Sequence, residues 1–242
     1  RDQGFAGRLH LVQDQLHPKL ARVVLDDEQQ LVMRAGERVL LVEKDDLASH
    51  TSSASTKLVH GGLRYLEHYE FRLVAESLRE REVLLRNAPH IIWPLRFVMP
   101  HEPSMRPKWM LRLGLALYDR IGGRTSLPKS KSVDLRIAPH RNTLQGRLKS
   151  GFEYSDCWVE DARLVVLSAR DAEERGAEIG VGTECIALER GSERWTAILR
   201  DETGEREVTA RAVVNAAGPF VDRVAQIALG EGTPAHLRLV KG

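Results

Sequence analysis

The chain has 242 residues, with 36 Lys and Arg against 34 Asp and Glu for a formal net charge of +2. That length fits one large domain or two small ones, and so balanced a charge excludes a bulk electrostatic argument for nucleic acid. No apolar run approaches the ~20 residues that span a bilayer, and with 42% hydrophobic and 29% charged residues the chain reads as soluble and globular.

The first clear element is "RVLLVE" at 38–43, a short apolar run closed by Glu43. It suits a buried parallel strand with an acidic residue at its carboxyl end. Residues 72–87 carry apolar positions at helical spacing, and Pro89 stops that helix. The stretch from about 91 to 150 is rich in Pro, Arg and Lys and gives one clear element. This is a helix over 107–121, with Pro107 in its first turn and Gly122-Gly123 ending it. Asp161 caps a further helix running to about Arg175, which Gly176 ends. Strands are expected at 178–188 and 194–200, a turn at "DETG", and another strand from about 206 that runs into "AVVNAAGP" at 212–219. The order is strand, helix, antiparallel hairpin insertion and a return to a buried strand.

Glu43 has two readings. An acidic residue at this point of a dinucleotide-binding fold accepts hydrogen bonds from the adenosine ribose; the plain alternative is a surface Glu that opens a loop. Eight residues later comes "TSSASTKLVHGGLRY". Thr51, Ser52, Ser53, Ser55 and Thr56 supply hydroxyls and small volumes, so backbone amides can approach a pyrophosphate or the edge of a ring. Lys57 can add charge. His60 leads into Gly61 and Gly62, which let the backbone pass close to a flat group. Arg64 can grip a phosphate or carboxylate at two points, and Tyr65 offers a hydroxyl. A Ser-rich helix cap is the bland alternative, and the unusual order of residue types favours function. At "VVNAAGP", Ala217 and Gly218 end a strand in small residues, which lets a ligand approach; an ordinary strand exit would look similar.

Other features read as structural. Asp156, Glu160 and Asp161 in "GFEYSDCWVEDARL" could pair for acid–base work, but an edge strand followed by a capped helix explains them better. The helix "WMLRLGLALYDR" could lie on a membrane surface, although its Gly and Ala suit close packing and favour a core position. Cys157 and Cys185 form no CxxC and read as reduced thiols in a cytosolic setting. The nine histidines contain no HExxH, so no metal site is expected. The chain begins with Arg, shows no signal peptide and stops just after a strand-like run, so it reads as a fragment.

Taken together, "HTSSASTKLVHGGLRYLEHYEFRLVAESLREREVLL", "RTSLP", "GFEYSDCWVEDARLVV", "VVNAAGP" and "RLVKG" resemble the FAD-dependent, aerobic, quinone-linked glycerol-3-phosphate dehydrogenases, from about Arg38 to Gly242. The resemblance implies an α/β fold: an FAD-binding, Rossmann-like domain of the glutathione-reductase and D-amino-acid-oxidase type with a partial cap domain. The implied division is an atypical segment at 1–37, FAD-binding parts at 38–90 and 156–236, a cap at 91–155, and a continuation from 237 to 242. The implied activity is oxidation of sn-glycerol 3-phosphate to dihydroxyacetone phosphate by hydride transfer to FAD, with electrons passed to a membrane quinone. By the same resemblance, Glu43 would hold the ribose, Thr51 to Lys57 with His60 to Gly62 would line the flavin, and Ala217 and Gly218 would lie near it. Arg64 and Tyr65 would meet the substrate. The resemblance implies a cytoplasmic protein and is compatible with peripheral contact on the inner membrane and with a homodimer. It gives no nucleic-acid partner and no general base.

Two departures stand beside it. The glycine fingerprint expected about 20 residues before Glu43 is replaced by "KLARVVLDD", where Leu20, Arg22 and Leu25 stand near the expected glycines. The family also continues beyond Gly242. The rival expectations are a glycerol-3-phosphate oxidase that uses oxygen and a non-catalytic remnant unable to hold FAD.

Overall fold

The computed structural model describes residues 8–13, by their backbone, together with 38–141 and 146–229. Leu20, Arg22, Leu25 and the 237–242 continuation lie outside the described residues. The chain divides into two units, one of residues 1–54 and 161–242 and one of residues 55–160.

In the first unit, β1 (Arg8–Gln13), β2 (Arg38–Glu43), β7 (Glu178–Val181) and β11 (Ala212–Asn215) form a sheet of order β11-β1-β2-β7. The expected buried strand is present as β2, which runs parallel to β7. Its other neighbour β1 runs antiparallel to both β2 and β11. The continuous apolar run of β2 follows from having both faces covered. Leu40 and Val42 enter a core with Leu188, Ala197, Leu199, Val208, Ala210 and Val224. Val39 faces the other way, against Ala172 and Ala177. Ala172 belongs to α3 (Asp161–Glu174), whose end at Gly176 takes the left-handed conformation at φ 97°, a turn that glycine makes without steric cost.

The strand expected over 178–188 is two strands. Gly182 turns the chain at φ 67°, after which β8 (Glu184–Arg190) leaves for a second sheet of order β10-β9-β8. There β9 (Trp195–Asp201) and β10 (Gly204–Ala210) form the expected hairpin. Asp201 Oδ1 accepts the Thr203 N–H at 2.8 Å, an Asx turn that explains why "DETG" reverses the chain. α4 (Val221–Leu229) follows β11 and buries Val224.

In the second unit, β6 (Ser150–Val159) pairs along its whole length with β4 (Ile92–Pro100) and, on its other edge, with β3 (Leu58–Val59) and β5 (Lys131–Asp134). The edge strand expected at 151–159 is therefore the central strand. Its alternation of aromatic and acidic residues resembles an edge, but Asp156 is accommodated by buried Arg81 and Tyr118, and Glu153 by Arg96, Lys131 and His140. β4 is the edge, which tolerates Pro94 and explains why its sequence gave no strand signal. α1 (Phe71–Asn87) and α2 (Lys108–Ile121) meet at Val74, Leu78 and Tyr118, with Leu63, Leu66 and Tyr154 packed against them. Pro107 is the residue before α2 rather than part of its first turn. The expectation that α2 is a core helix holds for one face only. Leu115 and Tyr118 are buried, while Trp109 and Leu113 are 66% and 63% exposed.

Burial pushes the Cys157 and Cys185 thiols up to about 11. An ordinary thiol near 8.5 is about a quarter ionised at pH 8, and one near 11 is ~0.1% ionised. Both thiols should therefore react slowly with a disulfide reagent in the folded protein at pH 8 and rapidly in denaturant. Because these folded values lie above the unfolded one, their ionisation takes stability away as pH rises from the usual thiol range through about 11. Rapid labelling of two native thiols at pH 8 would contradict this burial.

Candidate cofactor and substrate site

In the first unit, Glu43 closes β2 with its side chain buried, and Oε1 accepts the Asp45 N–H at 3.3 Å. Its carbonyl accepts the Thr183 N–H at 2.9 Å, so the strand end is fixed from the β7 side. Thr51–Ser53 form one 3-10 turn, where the Ser53 hydroxyl donates to His50 O at 3.0 Å. His50 Nε2 lies 2.7 Å from Asp45 Oδ2, and this bond, the largest contribution, holds the Asp45 carboxyl below its ordinary range. The same imidazole meets Phe220 edge-on at 6.1 Å.

Phe220 ends the 3-10 turn Gly218–Phe220 that follows β11. Asn215 ties this exit together: Nδ2 donates to Val221 O at 2.8 Å, and Oδ1 accepts the Ala217 N–H at 3.2 Å. Gly218 sits at φ 52° beside buried Ala217. The structure thus joins Glu43, Thr51–Ser53 and Ala217–Gly218 through Asp45, His50 and Phe220. Sequence reasoning gave these three connecting residues no role, because nothing in their spacing reports a contact across 170 positions.

The second unit carries the other half of the candidate residues. Ser55 Oγ accepts the Lys57 N–H at 2.9 Å, and Lys57, at φ 57°, offers its carbonyl to the Val159 N–H. Thr56 is exposed beside them. At the next turn His60 Nδ1 accepts the Gly62 N–H at 2.8 Å. Gly62 sits at φ 68°, where a Cβ would lie 2.4 Å from the Tyr65 ring. At Gly61 a Cβ would lie 2.5 Å from the Leu78 side chain. Both glycines are therefore required by local geometry. The turn delivers the chain into a 3-10 helix, Leu63–His68. Leu63 and Leu66 pack inward, and Arg64 and Tyr65 are exposed.

Beneath the turn, the Gly61 N–H donates to Tyr118 Oη at 2.7 Å. The Tyr118 hydroxyl lies 2.9 and 3.0 Å from the two Asp156 oxygens. Arg81 Nη1 donates to Asp156 Oδ1 at 2.7 Å and to Ser155 O at 3.2 Å. Burial pushes the Asp156 carboxyl up, opposed by Arg81 and Tyr118. It pushes the Tyr118 hydroxyl above the phenol range, so that group stays protonated. Asp156 is thus committed to an internal network, which agrees with reading it as structural. The sequence showed no sign of Tyr118 or Arg81. Among the described residues no group of three or more His, Cys, Asp or Glu side chains is placed to hold a metal ion.

Comparison with known proteins gives the family of the chain. The family described as FAD dependent oxidoreductase matches residues 29–242, which leaves β1 outside the match and begins nine residues earlier than Arg38. A D-erythritol 1-phosphate dehydrogenase of Brucella abortus is 54% identical over 86% of the chain, and the chain covers 42% of it. Glycerol-3-phosphate dehydrogenase of Pseudomonas tolaasii is 53% identical over 86% of the chain, covering 40% of that protein. Aerobic glycerol-3-phosphate dehydrogenase of Escherichia coli is 49% identical over 86%, covering 41%. The chain therefore spans about two fifths of the length of these relatives. The solved glycerol-3-phosphate dehydrogenase of Bacillus halodurans, complexed with FAD, aligns with a TM-score of 0.53 at 26% identity, over 77% of this chain and 30% of that one. The chain belongs to the FAD dependent oxidoreductase family.

Proposed function

We propose that this chain is part of an enzyme that oxidises glycerol 3-phosphate to dihydroxyacetone phosphate with FAD as its cofactor. The observation that carries the reading is the pinned His60–Gly62 turn, which leads directly into exposed Arg64 and Tyr65. A guanidinium there can bind a phosphate dianion at two points, and a phenol beside it can donate to a substrate oxygen.

The donor set fits FAD in part. Glu43 is a buried carboxylate at the carboxyl end of a strand with a parallel partner, where ribose hydroxyls can donate to it. The hydroxyl-rich Thr51–Ser53 turn is tied to it through Asp45 and His50. In the second unit, Gly61 and Gly62 are buried against Leu78, Tyr118 and Tyr65, and a flat ring would meet this turn along its backbone. The pyrophosphate end is different. β1 runs antiparallel to β2, so Gln13 at its carboxyl end pairs with Arg38, at the opposite end of β2 from Glu43. The described residues contain no strand that aims a glycine turn at a pyrophosphate ahead of Glu43.

The reaction removes a hydride from C2, for which bound FAD would supply the acceptor, and a proton from its hydroxyl, which passes to water. The protein's own part is to hold the phosphate with Arg64 and to orient the secondary alcohol with Tyr65. In the second unit, the backbone of Lys57 to Gly62 would line the flavin, and in the first unit the small residues Ala217 and Gly218 would leave space for it.

Relatives of nearly equal identity are named for glycerol 3-phosphate and for D-erythritol 1-phosphate, two polyol phosphates that Arg64 would hold alike. Glycerol 3-phosphate is the expected better substrate. In the FAD-loaded protein, Arg64→Ala should raise KM for glycerol 3-phosphate more than tenfold, since a charge-assisted contact is worth on the order of 1.5–3 kcal/mol, while flavin content stays constant. An unchanged KM would remove Arg64 from the phosphate, and a higher kcat/KM for D-erythritol 1-phosphate would reverse the substrate order.

The proposal extends to a membrane quinone as acceptor rather than oxygen, with a cytoplasmic protein held peripherally at the membrane. What supports it is α2, whose exposed Trp109, Leu113 and Leu117 follow each other at four-residue spacing beside exposed Lys108. A helix with this face can lie in the headgroup layer. No described helix is long and apolar enough to cross a membrane. Binding to vesicles containing anionic lipid should fall on the order of tenfold or more in Leu113→Glu, the scale set by losing one buried leucine. Equal co-sedimentation of both proteins would rule out this face.

A further inference from the structure

We propose that Tyr118 and Asp156 are positioning residues that set the place of the His60–Gly62 turn against the cofactor, an inference that rests on reading this turn as cofactor-facing. The argument starts from Gly61. Its amide is buried and has one acceptor, Tyr118 Oη at 2.7 Å, on a helix 57 residues away. A buried N–H without a partner is costly, so the turn sits where that oxygen is. The phenol has one proton. With Asp156 oxygens at 2.9 and 3.0 Å, that proton is given to the carboxylate, and the oxygen's lone pair faces Gly61. Asp156 in turn is fixed by Arg81 and by its place in central strand β6.

Space reinforces the bond. A Cβ at Gly61 would come within 2.5 Å of Leu78 and 2.9 Å of Tyr118 Oη, so the backbone rests directly on these two side chains. The next residues are held otherwise. Leu63 and Leu66 anchor the 3-10 helix that carries Arg64 by apolar packing. Loss of the Tyr118 hydroxyl should therefore move the turn and leave the phosphate grip in place. A network of this kind polarises each bond through the next, so the Asp156 charge strengthens the hold of Tyr118 on Gly61.

The test is Tyr118→Phe in the FAD-loaded protein, with amide hydrogen exchange, flavin absorbance and steady-state kinetics with glycerol 3-phosphate. In the unaltered protein the Gly61 amide should exchange slowly, and exchange at the free-peptide rate would end the proposal without any variant. In Tyr118→Phe the Gly61 amide should exchange at least tenfold faster relative to the Val159 amide, which bonds to Lys57 in the same unit. The flavin band should shift, and kcat should fall at least tenfold with KM changed less than threefold. Leu135→Ala opens a cavity in the same unit outside this cluster; it should lower Tm and leave kcat within twofold. A Tyr118→Phe protein with unchanged relative exchange, or with faster exchange but unchanged flavin spectrum and kcat, overturns the inference. Failure of the underlying reading looks different: the unaltered protein would hold no flavin, while Gly61 exchange would still report the hydrogen bond.

Discussion

The Arg81 guanidinium and the Asp156 carboxylate, each 5% exposed, meet at 2.7 Å inside the second unit. Two charges removed from water cost several kcal/mol each before their attraction is counted, and leaving one unpaired is worse than burying both. That asymmetry constrains everything around them. Glu82 and Thr125 take the far side of the guanidinium, at 3.1 and 3.2 Å. Ser126 closes on Glu82 through both its amide and its hydroxyl. Asp156 has Tyr118 as its second donor. Only Arg81 Nε is left as a buried side-chain nitrogen without a hydrogen bond among the described residues. A pair satisfied this far adds little net stability, but breaking it would leave a buried charge unpaired, and its partners come from α1, α2 and β6.

The same constraint explains where the candidate site stands. α1 and α2 supply Arg81 and Tyr118, β6 supplies Asp156, and the Gly-Gly turn rests on Tyr118. The candidate substrate residues Arg64 and Tyr65 are therefore carried on a short 3-10 segment with little regular structure of its own, while its foundation is the central strand β6. Such a division suits chemistry, because a loop positioned by a rigid support can present polar groups without losing its register. In the first unit the corresponding support is β2, covered on both faces, with Glu43 at its end.

Family membership and geometry are consistent where they overlap and diverge where the match ends. The matched range opens at residue 29, and β2 with its parallel neighbour β7 lies inside it. β1 lies outside it and runs against both neighbours. The strand position that would lead into a pyrophosphate turn is therefore occupied by a strand of the opposite direction.

Much of this was legible in the chain by itself. Local rules determined α1, α3, the "DETG" hairpin and the ends at Gly122 and Gly176, because capping, periodicity and turn chemistry act within a few residues. The order of "TSSASTKLVHGGLRY" gave the candidate cofactor residues, and tertiary packing accounts for its glycines, since a Cβ at Gly61 would meet Leu78 and Tyr118 and one at Gly62 would meet Tyr65. Tertiary structure alone decided that β6 is central, because strand order is set by pairing between distant segments. It alone decided that one stretch at 178–190 serves two sheets and that α2 buries Tyr118 while exposing Trp109. It also decided the Arg81–Asp156–Tyr118–Gly61 chain, whose members lie up to 95 positions apart in a sequence where each looks like an ordinary polar or small residue. A buried charge must find its partner in space, and spacing along the chain carries no record of that search.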